Sequence, residues 1–197
     1  MIKYPNGEKY TPTVKKRKQT KSELSLSSAN RGMNLEEDIN ASNLYYLEND
    51  ICLVAKRPTP INIVKVDYSR GARITDAYFE KQSTTDYNGV YKGKYLDFEA
   101  KNTKSKSSFP ISNIFKHQIQ HLKNVIAHGG IAFFIIEFQT KNEIFLLDAS
   151  FVIDFYENGD RKSIPYETFL KEGILLKLGY SPRIDYIAAV EEKYFKS

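Results

Sequence analysis

Cysteine is nearly missing from this 197-residue chain, and tryptophan is missing altogether. With Cys52 as the single cysteine, an internal disulfide and a zinc site built from cysteines are both excluded. No apolar run approaches the roughly 18 residues that a membrane-spanning helix requires. The first residues, Met-Ile-Lys-Tyr-Pro-Asn-Gly, lack the apolar segment of a secretory signal. We therefore expect a cytoplasmic protein without a membrane partner.

Apolar and aromatic residues, by contrast, are plentiful enough for a folded core. Hydrophobic residues make up 41% of the chain, and 14 tyrosines and 12 phenylalanines supply its aromatic content. A chain of 197 residues fits one domain with additions at its edge better than two domains.

Charge is distributed unevenly along the chain, whose formal net charge is +5. The net charge is +6 over residues 1–22, −5 over 23–50, +7 over 51–123 and −3 over 124–197. Such segregation suits a polyanionic partner held against one face. A solvated tail combined with ordinary surface lysines produces the same pattern, so charge alone leaves both interpretations open.

The first 29 residues differ in composition from the rest. They are polar, basic and rich in serine, threonine and lysine, without helical or strand periodicity. We predict a basic disordered arm over residues 1–29 and a folded domain over 30–197. Asn34 suits the cap of a first helix, which ends around Asn49. The apolar stripe of that helix is predicted to comprise Leu35, Ile39, Leu44 and Leu47.

A β-hairpin is predicted next, after a short strand at Ile51–Ala55. Ile61–Tyr68 alternates between apolar and polar residues, and Ile74–Phe79 has the pattern of a returning strand after a basic turn. We expect this hairpin, about residues 61–82, to project from the body of the domain.

The remaining chain alternates between strand and helix patterns. Residues 88–91 and 94–101 are predicted strands, and Ile111–Ala127 is a predicted helix. Ile131–Phe138 is almost entirely apolar, which predicts a buried central strand with Glu143–Leu147 beside it. Three further helices are predicted at about residues 150–156, 166–172 and 184–194. This order predicts an α/β fold in which helices cover both faces of a central sheet.

Chemistry is concentrated in the segment Tyr95–Lys101. Alternation along a strand places Leu96, Phe98 and Ala100 on one face, and Asp97, Glu99 and Lys101 on the other. An ordinary surface strand has the same alternation, so the segment does not by itself establish a site.

A second carboxylate, Asp86, stands at the start of a strand that a tight turn brings beside Glu99. Two carboxylates converging from neighbouring strands make a hard-oxygen site suited to Mg²⁺. Lys101 cannot bind a metal while protonated; it can stabilise charge on a phosphate or orient the attacking water. Metal-assisted phosphodiester hydrolysis needs these components.

Gln118 is the one polar position in the apolar stripe of the predicted helix 111–127. An amide that faces the sheet must find a hydrogen-bonding partner. Its oxygen could point to a metal or to the water around it, or the side chain could bond to backbone at the edge of the core. Both interpretations are open at this point.

Two histidines on the same predicted helix imitate a zinc protease motif. His117 and His121 have the required spacing, but Gln118 stands where that motif needs glutamate. The sequence therefore argues against zinc proteolysis, and we expect both histidines on the helix surface, close to bound DNA.

Several motifs together resemble a known family. Asp86, twelve intervening residues and then Glu99-Ala100-Lys101 resemble the PD-(D/E)xK nuclease pattern, with Thr85 at the usual proline position. Further segments match RecU-type Holliday junction resolvases in the same order along the chain: Asn30-Arg31-Gly32-Met33-x-Leu35-Glu36, Pro58-Thr59-Pro60, Ser83-Thr84-Thr85-Asp86-Tyr87, Asp97-Phe98-Glu99-Ala100-Lys101, Ser108-Phe109-Pro110, His117-Gln118-Ile119 and Pro182-Arg183-Ile184-Asp185-Tyr186. The resemblance runs from about residue 30 to the C-terminus.

The resemblance implies a restriction-endonuclease-like fold: α/β, with a central mixed β-sheet flanked by helices and a projecting β-hairpin stalk. It implies an endonuclease that makes symmetric nicks in four-way DNA junctions during recombination and repair, acting as a homodimer, with other recombination proteins as further expected partners. It also implies that Mg²⁺, for which Mn²⁺ could substitute, binds through Thr84, Asp86, Glu99 and Gln118, with Lys101 stabilising the transition state.

Phosphate contacts and alternative functions complete the predictions. The candidate DNA-binding residues are basic, and all but Arg31 lie in the positively charged segment 51–123: Arg31, Lys56, Arg70, Arg73, Lys104 and Lys106. Whether Glu36 or Glu37 assists the site is open. The alternatives to a junction resolvase are another PD-(D/E)xK nuclease and a non-catalytic protein that binds DNA or modulates recombination.

Overall fold

A six-stranded sheet forms the frame of the structure, a computed structural model that describes residues 35–80 and 84–196. In chain order the elements are α1 (Leu35–Glu48), β1 (Leu53–Lys56), β2 (Ile61–Asp67), β3 (Arg73–Phe79), β4 (Tyr87–Tyr91), β5 (Lys94–Thr103), β6 (Ser108–Pro110), a 3₁₀ helix (Ile111–Asn113), α2 (Lys116–Ala127), β7 (Ile131–Phe138), β8 (Glu143–Asp148), α3 (Ala149–Asn158), β9 (Ser163–Pro165), α4 (Tyr166–Glu172), β10 (Ile174–Leu175) and α5 (Tyr186–Tyr194).

Strand order in this sheet is β1-β4-β5-β7-β8-β10. The neighbours β5 and β7 are parallel, with α2 in the connection between them, and the other neighbouring pairs are antiparallel. The predicted mixed sheet is therefore confirmed. The short strands β6, β9 and β10 were not predicted, because segments of two or three residues carry no readable period.

Helices cover both faces of the sheet, also as predicted. Helices α1 and α5 pack on one face, and α2, α3 and α4 pack on the other. All of β7 is buried, and its alternate side chains enter the two cores: Phe133 and Ile135 the first, Phe134 and Ile136 the second. Removing this apolar area from water provides the main favourable free energy of folding.

The two faces of β5 differ in chemistry. Leu96, Phe98 and Ala100 are buried in the first core, where the Phe98 ring stacks on Tyr87 at 4.9 Å and on Phe133 at 4.6 Å. These stacked rings hold β4, β5 and β7 in register. The opposite face of β5, which points toward α2, carries polar side chains instead of a continuous apolar surface.

The hairpin of β2 and β3 is a two-stranded sheet separate from the central one. Its antiparallel pairing confirms the predicted hairpin, although a register irregularity around Lys65 interrupts the expected alternation. All of β3 is exposed. Large apolar side chains are exposed along both strands: Ile61, Ile63, Val64, Ile74, Tyr78 and Phe79.

The predicted helix 111–127 begins later than expected. Residues 111–113 form the 3₁₀ helix, Ile114 and Phe115 are extended, and α2 starts at Lys116. Ile111 and Phe115 therefore do not belong to the apolar stripe of α2. The apolar residues that face the sheet from α2 are Ile119, Leu122 and Val125.

The stripe predicted for α1 is also partly wrong. Leu44 and Leu47 are 56% and 51% exposed, and the buried positions include Ser42, Asn43 and Tyr46. Hydrogen bonds explain this, because Ser42 accepts from the Ile184 backbone N–H at 2.8 Å and the other two polar side chains also bond to the chain near α5.

Several expectations lie outside the described residues. They are the arm 1–29 with its boundary at residue 30, the Asn34 cap and the phosphate contact at Arg31. Among the helices of residues 35–80 and 84–196, none is long and apolar enough to cross a membrane.

Candidate active site

Glu99 is the centre of the candidate site. It lies on the polar face of β5 and is 1% exposed. Its Oε1 accepts hydrogen bonds from Gln118 Nε2 at 2.5 Å and Lys101 Nζ at 2.7 Å, and its Oε2 accepts from the Asp86 backbone N–H at 3.1 Å. Four predicted site residues from β5, α2 and the start of β4 thus meet at one buried carboxylate.

The segment Thr84–Asp86 leads directly into β4. Its exposure alternates, since Thr84 and Asp86 are partly exposed while Thr85 between them is fully buried. Tyr87, the next residue, pairs with Phe98 of β5, which places Asp86 beside Glu99. Thr84 is brought to the site only through this shared segment.

Burial and a second negative charge perturb Glu99. Its pKa is raised from 4.5 to about 8, first because burial penalises the charged form and then because Asp86 is close; Lys101 acts in the opposite direction. One ammonium group therefore does not compensate two neighbouring carboxylates. A divalent cation between Asp86 and Glu99 would do so, and such an oxygen-rich pair is the kind of site Mg²⁺ prefers.

Gln118 combines the two interpretations open at the sequence level. Its Oε1 accepts from the Phe115 backbone N–H at 3.0 Å, so the amide oxygen caps the start of α2. Its Nε2 donates to Glu99. The N–H before a helix start needs an acceptor, and Gln118, which is 2% exposed, supplies it; its role as a metal ligand stays a prediction.

A second buried carboxylate, Asp97, stands two residues before Glu99 on the same face of β5. It is 0% exposed and forms an ion pair with Arg57 at 2.6 Å. Its other partners are Tyr95 Oη at 2.9 Å, His121 Nε2 at 2.9 Å and the Thr85 hydroxyl, which donates a short hydrogen bond.

The pKa of Asp97 is lowered. Burial alone would raise it, but hydrogen bonds from His121, Arg57 and Thr85, together with the guanidinium charge, outweigh that effect. An ionised carboxylate only accepts hydrogen bonds, so the proton in the contact with His121 resides on Nε2. Sequence reasoning missed this cluster, although an aspartate on the polar face of a predicted inner strand was a signal for it.

The two histidines of α2 differ. His121 is partly buried and contacts Asp97, so it is not the fully exposed helix-surface residue that the sequence predicted; its closeness to DNA stays a prediction. The ring of His117 stacks on Phe115 at 5.6 Å, next to Lys101, whose Nζ lies 5.6 Å from the centre of the same Phe115 ring.

The described candidates for DNA contact are all exposed but lie in different places. Arg70 and Arg73 are at the tip of the hairpin, and Lys104 and Lys106 follow β5. Lys56 forms an ion pair with Glu36. Glu36 also contributes, with Asp86 and Glu99, to the raised pKa of Tyr87, after burial as the main cause.

That shared influence on Tyr87 distinguishes Glu36 from its neighbour Glu37, which is exposed. Glu36 is therefore the better candidate of the two to assist the site. Among the described residues, no group of three or more His, Cys, Asp or Glu side chains converges as a metal centre. A cation here would be held by two carboxylates, neutral oxygen donors and water.

Comparisons with known proteins identify the family. The family model described as RecU, recombination protein U, matches residues 30–192. A protein of Bacillus cytotoxicus named Holliday junction resolvase RecU is 52% identical, with 98% of each chain covered. A protein of the same name from Geobacillus sp. is 50% identical, with 99% of this chain and 98% of that one covered.

Among solved structures, the Holliday junction resolvase Hjc of Archaeoglobus fulgidus aligns with a TM-score of 0.42 at 12% identity. The alignment covers 72% of this chain and 93% of that one.

Proposed function

Because the chain belongs to the RecU family, we propose that it is a Holliday junction resolvase, an endonuclease that makes symmetric nicks in four-way DNA junctions with the help of Mg²⁺. The observation that carries this proposal is the buried Glu99 carboxylate, which lies beside Asp86 and Lys101. Burial and the nearby Asp86 raise the pKa of Glu99 to about 8. Two carboxylates with only one ammonium group nearby suit a divalent cation better than they suit a structural role.

The Mg²⁺ site of this proposal uses Asp86 and Glu99 as ligands. The Thr84 side chain, two residues before Asp86, can supply a neutral oxygen, and Gln118, whose Nε2 donates to Glu99 Oε1, is the remaining proposed ligand. The bound cation would polarise the scissile phosphate and lower the pKa of an attacking water. Mn²⁺, another hard cation, is expected to substitute.

Lys101 stabilises negative charge on the phosphate in this mechanism. Its side chain is 20% exposed, so its ammonium group can reach solvent and substrate while it contacts Glu99. Phe115, whose ring lies beside that ammonium group, limits the directions in which Lys101 can move. A positioned cation of this kind acts mainly on the transition state.

Four-way geometry requires two nicks, which suits a homodimer with one site in each subunit. The hairpin of β2 and β3 exposes apolar side chains on a strand pair outside the central sheet, and in this proposal it enters the centre of the junction. Arg70 and Arg73 near its tip, together with Lys56, Lys104, Lys106 and Arg31, contact phosphates and position the DNA without reading its sequence. Other recombination proteins and a cytoplasmic location belong to the same proposal.

The test is a cleavage assay on a synthetic four-way junction with and without Mg²⁺, alongside a linear duplex of equal sequence. Wild-type protein should nick the junction in two symmetric positions only when Mg²⁺ is present, and Asp86→Asn should not nick it. Equal cleavage of the linear duplex would favour another type of nuclease. Junction binding and annealing without any nicking would favour the non-catalytic alternative.

A further inference from the structure

Asp97 has no capacity left for a ligand. Its two carboxylate oxygens accept from Thr85, Tyr95, His121 and the Arg57 guanidinium, while a carboxylate offers about four acceptor positions. A cation could bind Asp97 only if one of these buried bonds were broken. Asp97 therefore differs from Glu99 in role, although both point to the same side of β5.

The partners of Asp97 converge on the segment that carries Asp86. Arg57 Nη1 donates to the Thr85 hydroxyl oxygen at 2.5 Å and to the Thr85 carbonyl at 3.2 Å. The Arg57 backbone N–H donates to the Asp86 carbonyl at 2.7 Å. The side chain and backbone of Arg57 thus bind the carbonyl groups of both Thr85 and Asp86, while the same guanidinium binds Asp97 on β5.

This arrangement opposes a repulsion. Asp86 and Glu99 are both acidic, and the Asp86 backbone nitrogen lies 3.1 Å from Glu99 Oε2. Two ionised carboxylates on such close segments repel each other, which favours movement of the segment 84–86 away from β5 when no cation lies between them. The bonds through Thr85 counteract that movement, and they act on the residue whose neighbours on both sides are proposed metal ligands.

We propose that Asp97 and Arg57, acting through Thr85, are positioning residues that hold Thr84 and Asp86 at the metal site before the metal binds. This inference rests on the proposed function, because it assigns the network a role in that same site. A preformed site does not have to order its ligands at the moment of binding, so its metal affinity is higher. Supporting hydrogen bonds of this kind change metal affinity or activity by about 10- to 100-fold when removed.

The test compares Thr85→Val, Thr85→Ser and Arg57→Lys with wild type, and uses Thr140→Val as a matched control because Thr140 is exposed on the β7–β8 turn. Mn²⁺ binding to the protein without DNA is measured by calorimetry. Thr85→Val and Arg57→Lys should weaken Mn²⁺ binding about 10- to 100-fold, while Thr85→Ser and the control should stay within about 3-fold of wild type.

Junction binding without divalent ions should remain within about 3-fold of wild type in all four variants, because the basic surface is intact. Unchanged Mn²⁺ affinity in Thr85→Val and Arg57→Lys would overturn the inference. Equal losses of Mn²⁺ binding and metal-free junction binding would also overturn it, since they would indicate general unfolding. Should Thr85→Val not fold, Arg57→Lys and Tyr95→Phe decide the question.

Tyr95 is 38% exposed, and its Oη accepts from Arg57 Nη2 at 2.8 Å and donates to Asp97 at 2.9 Å. Its replacement by Phe removes these two bonds but leaves the Arg57–Asp97 ion pair and the bonds from Arg57 to Thr85, so it should weaken Mn²⁺ binding less than Arg57→Lys does. A larger loss in Tyr95→Phe would contradict the path through Thr85. Failure of the proposed function gives a different result. The variants would then change Mn²⁺ affinity as predicted, while wild-type protein would leave four-way junctions intact.

Discussion

Two carboxylates on one face of β5 illustrate how surroundings determine the role of a buried acid. Asp97 and Glu99 are both almost fully buried, yet the pKa of Asp97 is lowered and that of Glu99 is raised to about 8. Asp97 has a guanidinium group and three neutral or imidazole donors around it. Glu99 has one ammonium group and two neutral N–H donors around it, and the Asp86 carboxylate nearby adds a second negative charge. The negative charge of Asp97 is offset by groups of the protein itself. That of Glu99 is offset less, and a bound cation would stabilise it.

The largest effect should follow from removing the undercompensated pair. Glu99→Gln and Asp86→Asn each delete a proposed metal ligand and should lower the nicking rate at least about 10³-fold. Junction binding measured without divalent ions should remain, because the basic surface is unchanged. Glu192→Gln and Asp160→Asn, both exposed, are the matched controls. Nicking at the wild-type rate in either site variant would remove Glu99 and Asp86 from the mechanism.

Stability should change in opposite directions when each buried acid is neutralised. Asp97→Asn leaves Arg57 without its counter-charge and should lower the free energy of unfolding by about 3 kcal/mol. Glu99→Gln should raise it by about 1–3 kcal/mol at pH 8.5 in metal-free protein, because the neutral amide avoids the cost of burying a charge. Chemical denaturation with a chelator present measures both values.

The dependence of these changes on pH follows from the two pKa shifts. The folded-state pKa of Glu99 is above its ordinary value of 4.5, so the protein loses stability as pH rises from about 4.5 to 8, and the gain in Glu99→Gln should vanish near pH 4.5. The folded-state pKa of Asp97 is below 3.8. Its contribution is complete above that pH and is lost below it. Equal signs for the two variants at pH 8.5 would break the comparison.

The ammonium group of Lys101 should affect the turnover rate more than DNA binding. Lys101→Ala removes the ammonium group that reaches solvent and should lower the turnover rate about 10²-fold, while junction affinity changes less than about 3-fold. Single-turnover nicking at saturating protein, together with a binding titration, separates these quantities. A defect confined to affinity would assign Lys101 to DNA docking.

Positive charges distant from both carboxylates should affect binding only. Replacing Lys104 and Lys106 together by alanine should reduce the slope of log affinity against log salt by about 2, since each phosphate contact contributes about 0.9. Deleting residues 1–22, which carry a net charge of +6, should flatten the slope further. Lys193→Ala, on α5 at the other face of the sheet, is the control. An unchanged slope would exclude the altered residues from the DNA contact.

The elements that the sequence predicts well are those whose pattern is local. The apolar run of β7 and the alternation along β5 each identify a strand from neighbouring residues alone, because burial on two faces or one has a fixed period. Gln118 was identifiable as a site residue because an amide interrupted an otherwise apolar stripe. The Phe115 N–H, however, donates to Gln118 Oε1 at the start of α2. The helix is therefore shorter than the apolar pattern of residues 111–127 predicts.

Features that depend on distant partners were not predictable. Arg57 and Asp97 are separated by 40 residues and meet only because β1 and β5 lie on either side of β4. His121 has helical spacing typical of a surface position, and only the approach of β5 explains its burial. The positions of Ser42 and Asn43 on the inner side of α1 likewise depend on acceptors and donors from the end of the chain.

The bonds from Arg57 to Thr85 and Asp86 join the chain on either side of the hairpin. These bonds close a long loop at its base. Arg57 and the segment Thr85–Asp86 therefore stay in contact whatever the length or sequence of the chain between them. Since the entropy of closing a loop grows only with the logarithm of its length, the hairpin can be lengthened, shortened or resequenced at little cost to the fold. Changes of length or sequence between Pro58 and Glu80 should therefore leave the geometry around Glu99 unchanged.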